Sequence, residues 1–242
     1  GLSCAAMEWE TARGMPRRSM PMARFAVLLC AAGALWIPGC RGRAAERGGA
    51  ETRVPVKTSL PVGADPAAGR VLTFAEFTAI PEPPGVSKKD PRYESARIPA
   101  FPNSLGVQEG DVVRLRGWLW AVTLMGDGDL NIRLTGSAAS PNRYAVGEIP
   151  DDDDVSDSRL GSMVRAARAA LKADALSGHA PSRAGTILDA PIYVEVSGQL
   201  YFNDTHVGDA RKRDQQGTMR ATDWQIHPVL SVAPVPIAHA SD

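Results

Sequence analysis

The chain has 242 residues, of which 44% are hydrophobic, with 19 Pro, 23 Gly and a formal net charge of zero. All three cysteines lie within the first 40 residues, which excludes disulfides, cysteine nucleophiles and cysteine-based metal sites from the remainder. Residues 1–39 hold four Arg and two Glu, so the remainder is slightly acidic. This disfavours general nucleic-acid binding, which depends on clustered Lys and Arg.

An export signal is predicted at the start of the chain. A short basic region begins at Met15 and is followed by the apolar run Phe25–Ile37. That run has the length of a signal-peptide core and is too short for a transmembrane helix, which needs about 20 residues. We therefore predict a signal peptide over residues 1–39, and whether residues 1–14 are native stays open.

The signal ends in Ile37-Pro38-Gly39-Cys40, which resembles a bacterial lipobox. The resemblance implies that Cys40 carries lipid and that the protein is exported and anchored to an envelope membrane, on the outer face of the inner membrane or in the outer membrane. An ordinary cleaved signal peptide and an uncleaved anchor are the alternatives.

Residues 40–91 are predicted to be the lipidated cysteine and a flexible linker. The segment is rich in Gly, Ala, Pro and charged residues and has no sustained apolar period, so it buries too little surface to offset its ordering entropy. The stretch Val71–Phe77 is an exception, compatible with a strand or short helix added to the domain that follows.

Residues 92–236 are predicted to form that domain, and residues 237–242 a tail. Apolar and polar residues alternate in five runs: Asp111–Met125, which Gly117 interrupts, Leu130–Thr135, Tyr144–Ile149, 192–202 and 224–232. A helix is predicted between the third and fourth runs. It is capped by Asp157 or Ser158 and stopped by Gly178, with Leu160, Val164, Ala167, Leu171 and Ala175 at helical spacing.

Three strands, a helix and two strands is the chain order of the OB fold, a five-stranded Greek-key barrel. We therefore predict a mostly-β, OB-like barrel, with a two-layer α+β sheet as the main alternative. Four segments together resemble bacterial exported OB-like domains over residues 92–235, namely Val113–Leu119, Asp127–Asp129, Gly198–Phe202 and Trp224–Val229. The resemblance implies one contiguous domain but no activity.

A divalent-metal site is one functional hypothesis. Asp127-Gly128-Asp129 resembles the Asp-Gly-Asp hairpin of staphylococcal-type nucleases, whose OB barrel holds calcium through carboxylates, and Glu148 could add an oxygen ligand. The match is incomplete, because Leu130 replaces a Thr and the predicted third run, Tyr144–Ile149, lacks an Arg. His206 and His227 are candidate ligands for a transition metal. The alternatives are a plain hairpin turn and solvated histidines.

A ligand-binding surface is the other hypothesis. OB barrels hold single-stranded nucleic acid or sugars through cationic and aromatic side chains. The candidates here are Arg114, Arg116, Trp118, Arg133 and Tyr144, unless Gly117 shifts the alternation and turns the Trp side chains inward. Residues 92–236 carry 15 basic and 18 acidic side chains, so general nucleic-acid binding is disfavoured. We expect a non-catalytic module for an envelope protein or small polar ligand, with a divalent-metal-dependent hydrolase, phosphodiesterase or nuclease-like, as the alternative.

Overall fold

A computed structural model describes residues 52–61, 63–155, 158–214 and 216–237. The predicted signal peptide, Cys40 and residues 238–242 lie outside the described residues. The described strands are β1 (Arg70–Leu72), β2 (Val112–Leu124), β3 (Leu130–Thr135), β4 (Arg143–Ile149), β5 (Thr186–Phe202) and β6 (Met219–Pro234). The α-helices are α1 (Val54–Lys57), α2 (Phe74–Thr78) and α3 (Ser158–Asp174).

Five of the strands close into a barrel. The sheet order is β1-β2-β3-β4-β6-β5, and an additional pairing of β2 with β5 closes it. Strands β4 and β6 run parallel, whereas β2 is antiparallel to both β3 and β5. The prediction of a mostly-β, OB-like barrel with one helix before its last two strands is confirmed, and the α+β alternative is wrong.

Strand β2 pairs with both β3 and β5 and is irregular near its middle. Its register slips between Leu119 and Ala121 in both pairings, which marks a β-bulge. Gly117 permits a close approach nearby, since a Cβ there would lie 3.2 Å from the carbonyl oxygen of Thr135. The bend thus falls within three residues of the glycine.

Helix α3 covers one side of the core. Its apolar stripe of Leu160, Val164, Ala167 and Leu171 is buried and packs mainly on β6. Gly178 has φ +82°, and its N–H donates to the carbonyl of Lys172 at 2.8 Å, which closes the helix end as predicted. None of the described helices combines the length and hydrophobicity that a bilayer span requires.

The described residues between 52 and 91 are not a flexible linker. Strand β1 pairs in parallel with β2, and Leu72 lies opposite Leu115. Helix α2 follows at once, begun by a capping box in which Thr73 and Glu76 bond reciprocally. The buried apolar side chains of this segment are Val56, Leu72, Phe77 and Ile80. Val71–Phe77 falls within β1 and α2, as its pattern allowed. Elsewhere in the segment the linker prediction is wrong, because Val56 and Ile80 are buried.

A buried ion pair fastens this segment to the barrel. Both terminal nitrogens of Arg53 donate hydrogen bonds to the Glu109 carboxylate, at 2.9 and 2.7 Å. The Arg53 side chain is 1% exposed and that of Glu109 is 0% exposed. The other guanidinium bonds reach the carbonyls of Tyr93, Ala96 and Phe202. Glu109 also accepts from the backbone N–H groups of Ile98 and Phe202. Both charged groups are therefore fully hydrogen-bonded.

Candidate functional site

A groove of about 280 Å³ lies on the outer face of the barrel, and we call it the barrel groove. On β3, Leu130, Ile132 and Leu134 fill the core, so the alternating Asn131 and Arg133 point outward into the groove. Its other polar lining residues are Thr123, Tyr144, Glu148, Asn203, His206, Arg220 and Gln225. Four strands, β2, β3, β4 and β6, thus line the groove, together with the connection between β5 and β6.

The cationic side of the groove is held in place by acidic partners. The Arg133 guanidinium lies 4.6 Å from the centre of the Tyr144 ring and pairs with Asp214 at 2.6 Å. Burial would raise the pKa of Asp214, but hydrogen bonds from Thr218 and the charge of Arg133 lower it. Arg133 is therefore fixed against the aromatic ring by an ionised partner.

Two polar atoms at the groove lack hydrogen-bond partners. Arg220 Nε and Gln225 Oε1 are buried without a hydrogen-bond partner among the described residues, and both residues line the groove. Most buried polar atoms in folded proteins are bonded, so exceptions call for an explanation. Arg220 Nε keeps an ion-pair contact of 3.5 Å with Asp223, so the groove residues offer one acceptor without a hydrogen bond and one weakly paired donor.

A second group of side chains meets beside the groove. Asp129, just before β3, Glu148 on β4 and His227 on β6 each bring one potential metal-binding atom within 4.8 Å of the others. His227 Nδ1 lies 2.8 Å from Glu148 Oε2, and Nε2 lies 3.6 Å from Asp129 Oδ2. The side chains are 6% (Asp129), 13% (Glu148) and 1% (His227) exposed. We call these three residues the Asp129 cluster.

The two carboxylates of the cluster differ in proton affinity. Burial raises the pKa of Asp129 to about 6, against the charge of His227, and the charge of Asp127 raises it further. Burial would also raise the pKa of Glu148, but the contact and charge of His227, with Lys57, lower it to about 2. The difference follows from distance, since His227 lies closer to Glu148 than to Asp129.

We expect Asp129→Asn to stabilise the metal-free protein at neutral pH. The folded-state pKa of about 6 exceeds the ordinary 3.8, so protonated Asp129 stabilises the fold below about pH 4, and this contribution is lost as pH rises through 6. An asparagine at this position can still accept the hydrogen bond from the Asp151 N–H, and it does not lose stability as the pH rises because it does not ionise. Urea unfolding with chelator at pH 7.5 should show a gain of about 1–3 kcal/mol. At pH 4 the gain should shrink; an equal effect at both pH values would contradict this explanation.

The predicted metal set is brought together only in part. Asp127 belongs to no described group of three metal-capable residues, and its Oδ1 instead accepts from the N–H of Asp129 at 3.1 Å. Gly128 between them has φ +101°. The Asp-Gly-Asp segment is therefore a hairpin turn that also delivers Asp129 to the cluster. Whether metal binds stays a prediction.

The two histidines predicted as a pair occupy different sites. His206 lines the barrel groove and lies 3.7 Å from Asp209, whereas His227 belongs to the Asp129 cluster. Burial lowers the pKa of His206, and the charge of Arg220 lowers it further. No described metal-capable group contains both histidines.

The predicted ligand-binding surface is also divided. Arg133 and Tyr144 line the barrel groove. Arg114 and Arg116 instead donate to Glu195 on β5, at 2.8 and 2.9 Å. These two arginines therefore serve as cross-strand partners within the sheet.

The tryptophans of β2 point in different directions. Trp118 is partly exposed and packs against Tyr193, with ring centres 5.2 Å apart. Trp120, beyond the start of the bulge, is 9% exposed. The alternation of buried and exposed side chains along β2 therefore changes after Leu119. Trp118 lies beside β5 and is not among the residues that line the barrel groove.

Sequence reasoning missed Asn131, Arg220 and Gln225 as groove residues. Asn131 and Gln225 occupy the polar positions of alternating runs, which is a readable signal. Gln225 reaches the groove because β6 pairs in parallel with β4, with Val146 opposite Gln225, and these two strands are far apart in the sequence. No local pattern reveals that pairing.

Comparisons with known proteins assign no family. No family model matches the chain, and no curated protein matches it. Among solved structures, it is similar to Entamoeba histolytica asparaginyl-tRNA synthetase in complex with asparaginyl-adenylate, with 13% identity and a TM-score of 0.26. The match covers 59% of this chain and 26% of the synthetase, so this chain spans about a quarter of that protein. A likeness this slight carries no functional argument.

Proposed function

We propose that this protein is a non-catalytic binding module that holds a small polyhydroxylated ligand in the barrel groove. The observation that carries the proposal is the pair of buried atoms without hydrogen bonds, Arg220 Nε and Gln225 Oε1, in residues that line the groove. A sugar hydroxyl both donates and accepts a hydrogen bond, so it can satisfy one atom of each kind.

The size and lining of the groove agree with such a ligand. Its volume of about 280 Å³ lies at the lower limit of the roughly 300–1,000 Å³ usual for small-molecule sites, which fits one or two sugar rings. Tyr144 offers an aromatic surface, and Asn131 and Asn203 add amide groups. The mixture of cationic, acidic and amide side chains suits a polar molecule better than an extended polyanion.

Binding is favoured over the hydrolase alternative by the placement of the Asp129 cluster. Glu148 is the cluster residue that lines the groove; Asp129 and His227 do not line it. A ligand in the groove can therefore contact Glu148, but it does not reach the point between the three side chains where a metal ion would bind. The lipid anchor at Cys40 and the envelope location stay predictions, which would place this module at a membrane surface.

A ligand-observed NMR screen tests the groove directly. Saturation-transfer difference spectra with neutral and acidic mono- and disaccharides should identify a binder in the wild-type protein. Gln225→Leu should then weaken that binder by about tenfold or more, because a ligand hydroxyl loses its buried acceptor. Tyr144→Ala should weaken it similarly by removing the ring.

Arg114→Met is the matched control, because Arg114 is bonded to Glu195 and does not line the groove. It should leave the affinity unchanged. Absence of any saccharide signal from the wild-type protein, or an equal loss in Arg114→Met, would overturn the proposal.

A further inference from the structure

We propose that the Asp129 cluster binds a divalent transition-metal ion, with Zn²⁺ as the best fit, and that this ion stabilises the barrel. The inference is independent of the saccharide groove. It rests on the donor set, the hydrogen-bond geometry of His227 and the positions of the neighbouring side chains.

The donor set selects the class of ion. One imidazole nitrogen and two carboxylate oxygens suit Zn²⁺ and similar metals, whereas Ca²⁺ and Mg²⁺ prefer all-oxygen sites. Two donors bound at about 2.1 Å to one ion lie about 3–4 Å apart. His227 Nδ1 faces Glu148 and Nε2 faces Asp129, and a single ion uses one of these nitrogens. One atom from each of the three residues lies within 4.8 Å of the others, so small side-chain movements bring the donors to this spacing.

His227 supplies the second, independent observation. Its Nδ1 is buried without a hydrogen-bond partner, and the side chain is 1% exposed. The Glu148 oxygen lies 2.8 Å from this nitrogen as an ion-pair contact offset from hydrogen-bond alignment. Two neighbouring ligands of one ion adopt such an offset, since both aim at the ion rather than at each other.

The carboxylates are already oriented by hydrogen bonds. Asn131 donates to Glu148 Oε1 at 3.0 Å, leaving Oε2 toward His227. The N–H of Asp151 donates to Asp129 Oδ1 at 2.9 Å, leaving Oδ2 toward His227. Outer partners of this kind orient metal ligands in proteins. Each carboxylate thus keeps one oxygen for the ion.

Charge at the cluster also favours a cation. The charge of His227 favours ionised Asp129, whereas the charges of Asp127 and Glu148 oppose it. Lys57 acts on Glu148 from the segment that covers the barrel, and so compensates one of these charges. Buried carboxylates are ordinarily paired or bound to metal. A dication would relieve the remaining repulsion.

Metal titration of the full chain, purified with chelator and then freed of it, tests the inference. Co²⁺ should give visible absorption bands that Zn²⁺ then abolishes. Zn²⁺ at about a hundred times its dissociation constant should raise the melting temperature by about 5–10 °C. Ca²⁺ and Mg²⁺ should give a much smaller shift. A wild-type protein without Co²⁺ bands and without a Zn²⁺ shift would overturn the inference.

Variants locate the ion. His227→Gln, Glu148→Gln and Asp129→Asn should each lose the Co²⁺ bands and most of the Zn²⁺ shift. Asp127→Asn and His206→Gln are matched controls outside the cluster and should keep both. If His227→Gln does not fold, Asp129→Asn still tests the site, because the Asp129→Asn variant is expected to be stable. A full Zn²⁺ shift in Asp129→Asn would contradict the site.

Discussion

Glu109→Gln should lower the free energy of unfolding by about 3–5 kcal/mol. The substitution leaves the Arg53 guanidinium buried opposite a neutral side chain, at a site where both native side chains are almost fully excluded from solvent. A buried charge that loses its partner costs far more than the intact pair contributes. Equilibrium unfolding in urea at pH 7.5 measures the change.

An exposed ion pair provides the control for this experiment. Lys88 and Asp209 lie 2.6 Å apart, but their side chains are 49% and 46% exposed. Asp209→Asn should therefore change stability by less than about 1 kcal/mol. The double variant Arg53→Met/Glu109→Gln should be less destabilised than the sum of its single variants, because no unpaired charge remains. A Glu109→Gln effect as small as that of Asp209→Asn would refute the role assigned to the buried pair.

A chain beginning at Pro91 should fail to fold cooperatively. This truncation removes Arg53 from Glu109 and takes the buried side chains of Leu72, Phe77 and Ile80 out of the core. Each apolar side chain contributes about 1.5–3 kcal/mol, and the orphaned carboxylate costs about 3–5 kcal/mol. Together these losses rival the whole stability of a typical domain, about 5–15 kcal/mol.

A chain beginning at Arg43, which keeps every described residue, is the matched control. Circular dichroism and calorimetry should show a sharp thermal transition for this longer chain and a broad or absent one for the shorter chain. Equal melting temperatures would mean that the segment before Pro91 contributes nothing to the barrel.

The barrel strands were predictable because their patterns are local. Leu130, Ile132 and Leu134 alternate with polar residues, and β3 has the predicted bounds. Helix α3 follows from its apolar spacing and from Gly178. The position of the β2 bend was predictable to within a few residues, because a glycine in a long strand favours a bend.

The segment before the barrel was not predictable in the same way. In the sequence, Arg53 is one charged residue in a polar stretch, and nothing near it indicates burial. It is buried because it pairs with Glu109, which is distant in the sequence. The Asp129 cluster shows the same difficulty. Asp129, Glu148 and His227 were each candidates, but the parallel pairing of β4 with β6 decides that they meet while His206 does not.

The closing contact between β2 and β5 has a consequence for how the chain reaches its fold. Val112 pairs with Gln199 and Val122 with Thr186, so the ring of strands joins residues far apart in sequence. Non-local pairings of this kind slow folding, because a large loop loses entropy before any contact forms. Until Gln199 has emerged from the ribosome, β2 lacks one neighbour, and its hydrogen-bonding edge is open to other chains. The nascent chain is therefore most prone to aggregation before its last two strands are made.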